Sequence, residues 1–228
     1  MNNKKLCPCA DNKYKENDSC FTKQQILDMA LGFNRFMTKS NLERGRILLI
    51  PDKYIKDQDT GKLLEYIRSA FSAECKNDDK CMVDKILMRG ILKNIDKNEI
   101  FKPDGPATKT EWLSNFDIQN IMKNYENKYP HFKFAGAVAS NCHKHNGCTL
   151  NRFDIKKYLD KSYIGIIFNL DVVGGSGSHW TSFLVDIPNK KIYYVDSGGN
   201  RPNSHIQDYI DSVLRDIPSV ELIVNDKK

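Results

Sequence analysis

The chain has 228 residues, of which 40% are hydrophobic and 28% are charged, as is typical of a globular protein that buries a core. The net charge of +6 is mild and scattered, so it leaves contact with nucleic acid open without arguing for it. No apolar window approaches the roughly 18 residues of a membrane span, and the polar start of the chain predicts no secretory signal.

The first part of the chain has the pattern of a helical region. Thr22-Lys23-Gln24-Gln25 has the form of a capping box and opens an apolar series at helical spacing. Further helices are predicted around residues 63–71 and over residues 82–92. The Pro/Gly stretch at 102–106 then indicates a boundary. We therefore predict a mostly helical N-terminal region over residues 1–104 and a second region over residues 105–228.

The second region changes from a helix to strands. Ser114 and Asp117 form another capping-box pattern, which predicts a helix over about 117–128. Residues 163–170 form a near-continuous apolar run, typical of a buried strand. Residues 179–187 and 191–195 flank Pro188-Asn189 and predict a hairpin, followed by an amphipathic helix and a last strand over 220–224. This layout favours an α+β domain behind a helical N-terminal part.

The densest chemical signal is a glycine-rich segment that leads into His179 and Trp180, with Asp196 further along the chain. A turn at Pro188-Asn189 places the start of one strand beside the end of the other, so His179 and Asp196 are predicted neighbours. Histidine can act as a base at neutral pH, and an adjacent carboxylate fixes its tautomer and stabilises the imidazolium. The alternative is a structural histidine and a turn-forming aspartate.

Several motifs resemble the core of the ubiquitin-like-protein-specific cysteine proteases. They are Gly-Ser-His-Trp at 177–180, Tyr-Tyr-Val-Asp-Ser at 193–197, Trp-Leu-Ser-Asn at 112–115 and the apolar run at 164–171. This clan includes the SUMO proteases, the adenovirus protease and the polyprotein proteases of large DNA viruses. The layout is similar to that of the African swine fever virus type and its giant-virus relatives. The resemblance covers roughly residues 105–228.

The resemblance implies a papain-like, SUMO-protease-like core with a mixed β-sheet flanked by helices. It also implies that His179 is the general base and acid and that Asp196 orients it. Trp112 and Trp180 would flank a narrow tunnel for a Gly-Gly substrate segment. Flat aromatic walls that lie close together admit glycine and exclude side chains, so specificity would come from steric rejection. Core packing is the alternative role for each tryptophan.

One part of the family pattern is missing from the sequence. The family needs an oxyanion-hole Gln and a nucleophilic Cys after the last predicted strand, whereas no cysteine follows Cys148. We therefore expect a C-terminally incomplete core whose catalytic Cys lies beyond this chain, and an inactive 228-residue protein. The alternatives are an inactive module that binds Gly-Gly or ubiquitin-like tails, a deSUMOylase or deubiquitinase-like protease, or a rearranged site that uses Cys142 or Cys148.

The seven cysteines are an odd number in a chain without a predicted export signal, so we expect free thiols in a reducing compartment. Cys142, His143, His145 and Cys148 crowd four possible zinc ligands into one short segment. Structural zinc sites usually use two separated ligand pairs, so an unliganded loop is favoured over a metal site. We expect no metal and no cofactor.

The resemblance implies a cysteine peptidase that processes viral polyprotein or capsid precursors at Gly-Gly sites. Its partners would be a protein substrate and possible capsid or core polyproteins, without a membrane. The expected location is the host cytoplasm or the virion.

Overall fold

The computed structural model describes residues 7–8, 17–41, 49–93, 95–106, 108 and 110–225. Residues 1–5 and Cys9, which entered the predictions of targeting and of thiol state, lie outside the described residues. The chain divides into two compact units, Met1–Asp104 and Gly105–Lys228. Across the described ranges, no helix is both long enough and apolar enough to cross a membrane.

The first unit is helical. The predicted capping box is present: the Thr22 N–H donates to Gln25 Oε1 at 2.8 Å, and the Gln25 N–H donates to Thr22 Oγ1 at 3.2 Å. The helices are α1 (Lys23–Asn41), α2 (Asp52–Lys56), α3 (Thr60–Ala70), α4 (Ser72–Cys75), α5 (Asp79–Met88) and α6 (Lys97–Ile100).

The helix predicted over residues 82–92 ends earlier than expected, because α5 stops at Met88. Gly90 has a φ of 65°, a left-handed conformation that glycine adopts without steric cost. The Ile91 N–H then donates to the Ile86 carbonyl at 3.0 Å, which closes the last turn. Ile91 is therefore a buried residue of the loop that follows α5, and it does not belong to the helix.

The second unit is built on a mixed five-stranded sheet, which confirms the predicted α+β fold. The strands lie in chain order, with β1–β2 and β4–β5 parallel and the two central pairs antiparallel. One apolar face of the C-terminal helix, α8, joins the sheet in a single core. The elements are α7 (Asn115–Lys128), β1 (Phe132–Ala139), β2 (Tyr163–Asn169), β3 (Trp180–Asp186), β4 (Lys191–Val195), α8 (Ser204–Asp216) and β5 (Glu221–Val224).

The expectation of free thiols is wrong for every cysteine that the structure describes. Disulfides join Cys7–Cys20, Cys75–Cys81 and Cys142–Cys148. Their Cα atoms lie 5.1 to 5.5 Å apart, within the range that a disulfide needs. The prediction failed because it used the total number of cysteines and the expected compartment, whereas local turns decide which sulfurs meet.

Candidate active site

The β3–β4 hairpin brings His179 and Asp196 together, His179 directly before β3 and Asp196 directly after β4. His179 Nε2 lies 2.6 Å from Asp196 Oδ1. The Asp196 side chain is fully buried, whereas that of His179 is 38% exposed. Nδ1 of His179 makes no hydrogen bond within the described part of the chain. The imidazole is thus anchored at one nitrogen and open at the other, as a general base requires.

Three donors surround the carboxylate of Asp196. Burial alone would raise its pKa, because the charged form is poorly solvated. The Gly198 N–H at 2.8 Å, the Asn200 amide at 3.0 Å and the His179 ring outweigh burial and hold the pKa of Asp196 below its usual range. The carboxylate is therefore ionised at neutral pH and can stabilise a protonated imidazole.

Trp112 and Trp180 line one groove of about 670 Å³. Trp112 is 66% exposed, so it does not have the alternative role of core packing. His179 is not among the lining residues, although it directly precedes Trp180 in the chain. The other lining residues are Leu113, Ser114, Asn115, Gln119, Ala137, Val138, Ala139, Gly147, Cys148, Thr149, Asn169 and residues 171–177.

The glycine loop that leads into His179 is fixed by two side chains. Asn169 Oδ1 accepts hydrogen bonds from the Asp171 N–H at 3.0 Å and from the Ser178 N–H at 3.2 Å. Asp171 Oδ2 accepts one from the Gly177 N–H at 2.9 Å. Gly177 has a φ of 86°, which favours glycine. These contacts hold the groove wall and the approach to His179 in one conformation.

The structure places a disulfide in the Cys142–Cys148 segment, whose ligand types suggested a metal site. Its two cysteines are joined to each other, and Cys148 lines the groove as half of that disulfide. Among the described residues, no group of three or more His, Cys, Asp or Glu side chains is placed to hold a metal ion. The same disulfide occupies both sulfurs that were considered as substitute nucleophiles.

Sequence reasoning missed three asparagines that support the site. Asn169 holds the glycine loop and Asn200 donates to the Asp196 carboxylate. Asn225, which follows β5, accepts from the Asp196 N–H at 2.8 Å and donates to the Asp196 carbonyl at 2.8 Å. The available signal was their position, because each lies at the end of a strand or directly after the Asp-Ser-Gly-Gly turn.

Comparison with known proteins identifies the family. The profile of the Ulp1 protease family, C-terminal catalytic domain, matches residues 91–217. The chain belongs to the Ulp1 protease family. An Acanthamoeba polyphaga mimivirus protein that bears the name of a thiol protease is 38% identical over 212 residues, which cover 89% of this chain and 70% of that protein. The resemblance seen in the sequence is confirmed, and the chain is a Ulp1-family cysteine peptidase.

Two solved structures of a viral protease show the same fold. A crystal structure of the African swine fever virus protease has a TM-score of 0.54 at 19% identity, over 71% of this chain and 70% of that chain. A selenomethionine crystal structure of that protease has the same TM-score at 18% identity, over 98% and 78% of the two chains. The SUMO protease Ulp1 aligns over 51% of this chain and 57% of that chain, with a TM-score of 0.39 and 23% identity.

Proposed function

We propose that this Ulp1-family peptidase uses a Cys-His-Asp mechanism to cleave viral polyprotein or capsid precursors at Gly-Gly sites. The observation that carries the proposal is the contact of 2.6 Å between His179 Nε2 and the buried Asp196 carboxylate. It leaves Nδ1 of His179 as the nitrogen that exchanges a proton with the reacting groups. The virion or the host cytoplasm is the proposed place of action, and it rests on the viral relative alone, since the disulfides remove the free-thiol argument.

In this mechanism, His179 Nδ1 takes the proton of a cysteine thiol, and the thiolate attacks the scissile carbonyl carbon. Asp196 stabilises the resulting imidazolium. His179 then gives the proton to the leaving amine, and the acyl-thioester is hydrolysed by water that His179 deprotonates. In the described part of the chain every cysteine is in a disulfide, so none of them is assigned as the nucleophile.

The preference for glycine rests on the groove. Trp112 and Trp180 supply flat aromatic surfaces, and the loop over residues 171–177, which contains three glycines, lines the same groove. A substrate with side chains at this point would collide with a wall, whereas glycine would fit. Of the lining residues in the described ranges, Asp171 alone is charged, so the groove suits a neutral peptide segment.

A second candidate is a module that binds Gly-Gly segments without cutting them. The observation that favours it is the disulfide state of the described cysteines, which leaves the His179–Asp196 pair without a thiol partner among them. The groove would be retained in such a protein, because its walls do not include His179 or Asp196.

The two candidates differ in covalent chemistry. The protein encoded by the complete gene is treated with a Gly-Gly vinyl sulfone and, separately, with a fluorogenic Gly-Gly substrate. A peptidase forms a thioether adduct with the vinyl sulfone and cleaves the fluorogenic substrate. His179→Ala should lower the rate of cleavage about 10²- to 10⁴-fold. His131→Ala, a change at an exposed histidine, is the matched control. Peptide binding without an adduct or turnover would favour the binding module instead.

A further inference from the structure

Asn169 uses only half of its side chain to hold the glycine loop. It ends β2, is 8% exposed and lines the groove. Its Oδ1 accepts two backbone N–H groups, those of Asp171 and Ser178. Because only the oxygen of an amide can accept, these two donors fix which side of the amide is oxygen. Nδ2 therefore points away from them with a defined orientation.

The Nδ2 group of Asn169 has no partner. It makes no hydrogen bond within the described ranges, although the residue is more than nine-tenths buried. Nδ2 itself is not among the fully buried polar atoms that lack a partner in the described part of the chain, so it keeps some access to solvent. A donor of fixed orientation at the groove is prepared to receive an acceptor from outside the protein.

The position of this donor ties it to the reaction site. Asn169 pairs with Trp180 across β2 and β3, and the N–H of Leu170, directly after β2, donates to the His179 carbonyl at 2.9 Å. A Cβ atom on Gly177 would lie 3.2 Å from Asn169 Nδ2, so glycine there keeps the approach to the amide open.

The chemistry of the groove selects the acceptor. Among the described residues that line it, Asp171 alone is charged and none is Lys or Arg, so an anionic ligand would be repelled. The flat walls exclude bulky side chains. We propose that Asn169 is a substrate-binding residue, whose Nδ2 donates to a main-chain carbonyl oxygen of the peptide in the groove. This inference rests on the proposed Gly-Gly function of the same groove.

The sharpest variant is Asn169→Asp. It keeps an oxygen that accepts from Asp171 and Ser178, but it replaces the donor with an acceptor. The probe is a fluorescein-labelled, end-capped Ala-Gly-Gly-Ala peptide, and its Kd is measured by anisotropy. We expect binding to weaken roughly tenfold in Asn169→Asp. The matched control is Asn141→Asp, because Asn141 Oδ1 also accepts from this loop, from the Val173 N–H at 2.8 Å, but lies outside the groove lining.

A change in the peptide completes the test. Two peptides each replace one glycine amide by an E-alkene, which removes one carbonyl. One of them should bind the wild-type protein about tenfold more weakly than the unmodified peptide does. The same peptide should bind Asn169→Asp with the affinity that it has for the wild-type protein. The side-chain NH₂ resonance of Asn169 in the wild-type protein should also shift on saturation with the unmodified peptide.

Each outcome decides the inference. Equal affinities of the wild-type protein and Asn169→Asp, an equal loss in Asn141→Asp, or an unshifted Asn169 resonance would overturn it while leaving Gly-Gly binding intact. Failure of the wild-type protein to bind the peptide would overturn both this inference and the proposed specificity.

Discussion

The indole N–H of Trp180 donates to the main-chain carbonyl of Leu113 at 3.0 Å. This bond links β3 to the segment before α7 that carries Trp112. The two tryptophans of the chain are therefore not independent wall residues, since one of them anchors the peptide segment on which the other is presented.

Exchange of each tryptophan for phenylalanine should separate these roles. Trp180→Phe keeps an aromatic wall but loses the bond to Leu113, so the free energy of unfolding should fall by about 1 kcal/mol. Trp112→Phe, at an exposed position, should change it by less than about 0.5 kcal/mol. Urea denaturation checks both values. Equal destabilisation by the two changes would argue against the anchoring role.

The acid dependence of stability should carry the signature of Asp196. Its pKa in the folded protein lies below the ordinary value, so its ionised form stabilises the fold above the ordinary Asp pKa of about 3.9. That contribution is lost as the pH falls through the lower folded value. The difference in unfolding free energy between the wild-type protein and Asp196→Asn should shrink as the pH falls below about 5. A difference that does not change with pH would contradict the carboxylate environment described.

Two glycines of the loop form a matched pair. Gly174 and Gly177 have φ values of 88° and 86°, so alanine at either should cost about 1 to 2 kcal/mol of backbone strain. A Cβ on Gly174 meets nothing within 4 Å, whereas one on Gly177 presses on Asn169 Nδ2 at 3.2 Å.

Only Gly177→Ala should therefore disturb the bond from the Ser178 N–H to Asn169. Amide hydrogen exchange at Ser178 should accelerate in Gly177→Ala and stay close to the wild-type rate in Gly174→Ala. Acceleration in both variants would show that the loop responds to backbone strain alone.

Two disulfides close loops of equal length, since Cys142–Cys148 and Cys75–Cys81 each have a sequence separation of 6. Replacing either pair by serines should destabilise the unit that contains it by about 2 kcal/mol, because the unfolded chain gains conformational entropy when the disulfide is absent. Of these four cysteines, Cys148 alone lines the groove, so only the loss of its disulfide should weaken Gly-Gly peptide binding. Thermal unfolding and anisotropy give the two readouts, and weaker binding in both variants would refute the local effect.

The oxidised 228-residue protein should not hydrolyse a fluorogenic Gly-Gly substrate, because its described cysteines are all paired. The measurement is made without reductant and repeated after reduction. Cleavage that appears after reduction and disappears in Cys148→Ser would identify Cys148 as a nucleophile. Cleavage without reductant would contradict the expectation.

Local patterns allowed much of the fold to be predicted. Both capping boxes are present, since Ser114 and Asp117 cap α7 as Thr22 and Gln25 cap the first helix. The hairpin was predictable because Pro188-Asn189 sets the register, and the register in turn sets which residues lie opposite each other. These features depend on residues that are near one another in sequence.

The rest depends on contacts between distant segments. No strand was predicted over β1, whose residues are largely small and whose parallel partner, β2, follows after a long connection. The pairing also needs Gly165, because a Cβ there would lie 2.9 Å from the Phe132 ring. The amides of Asn169 and Asn225 had several possible local partners, and only the folded arrangement selects the loop and Asp196.

The bonds between Asn225 and Asp196 make the active site sensitive to the edge of the sheet. Among the described strands, β5 pairs with β4 alone and lies at an edge of the sheet, and edge strands open more readily than central ones. Each opening of β5 would release Asn225 and with it the main chain that carries the Asp196 carboxylate. The fraction of molecules with an ordered His179–Asp196 pair therefore cannot exceed the fraction in which β5 is paired with β4. A ligand or partner that covers this edge would raise the fraction with an ordered pair without contacting the groove.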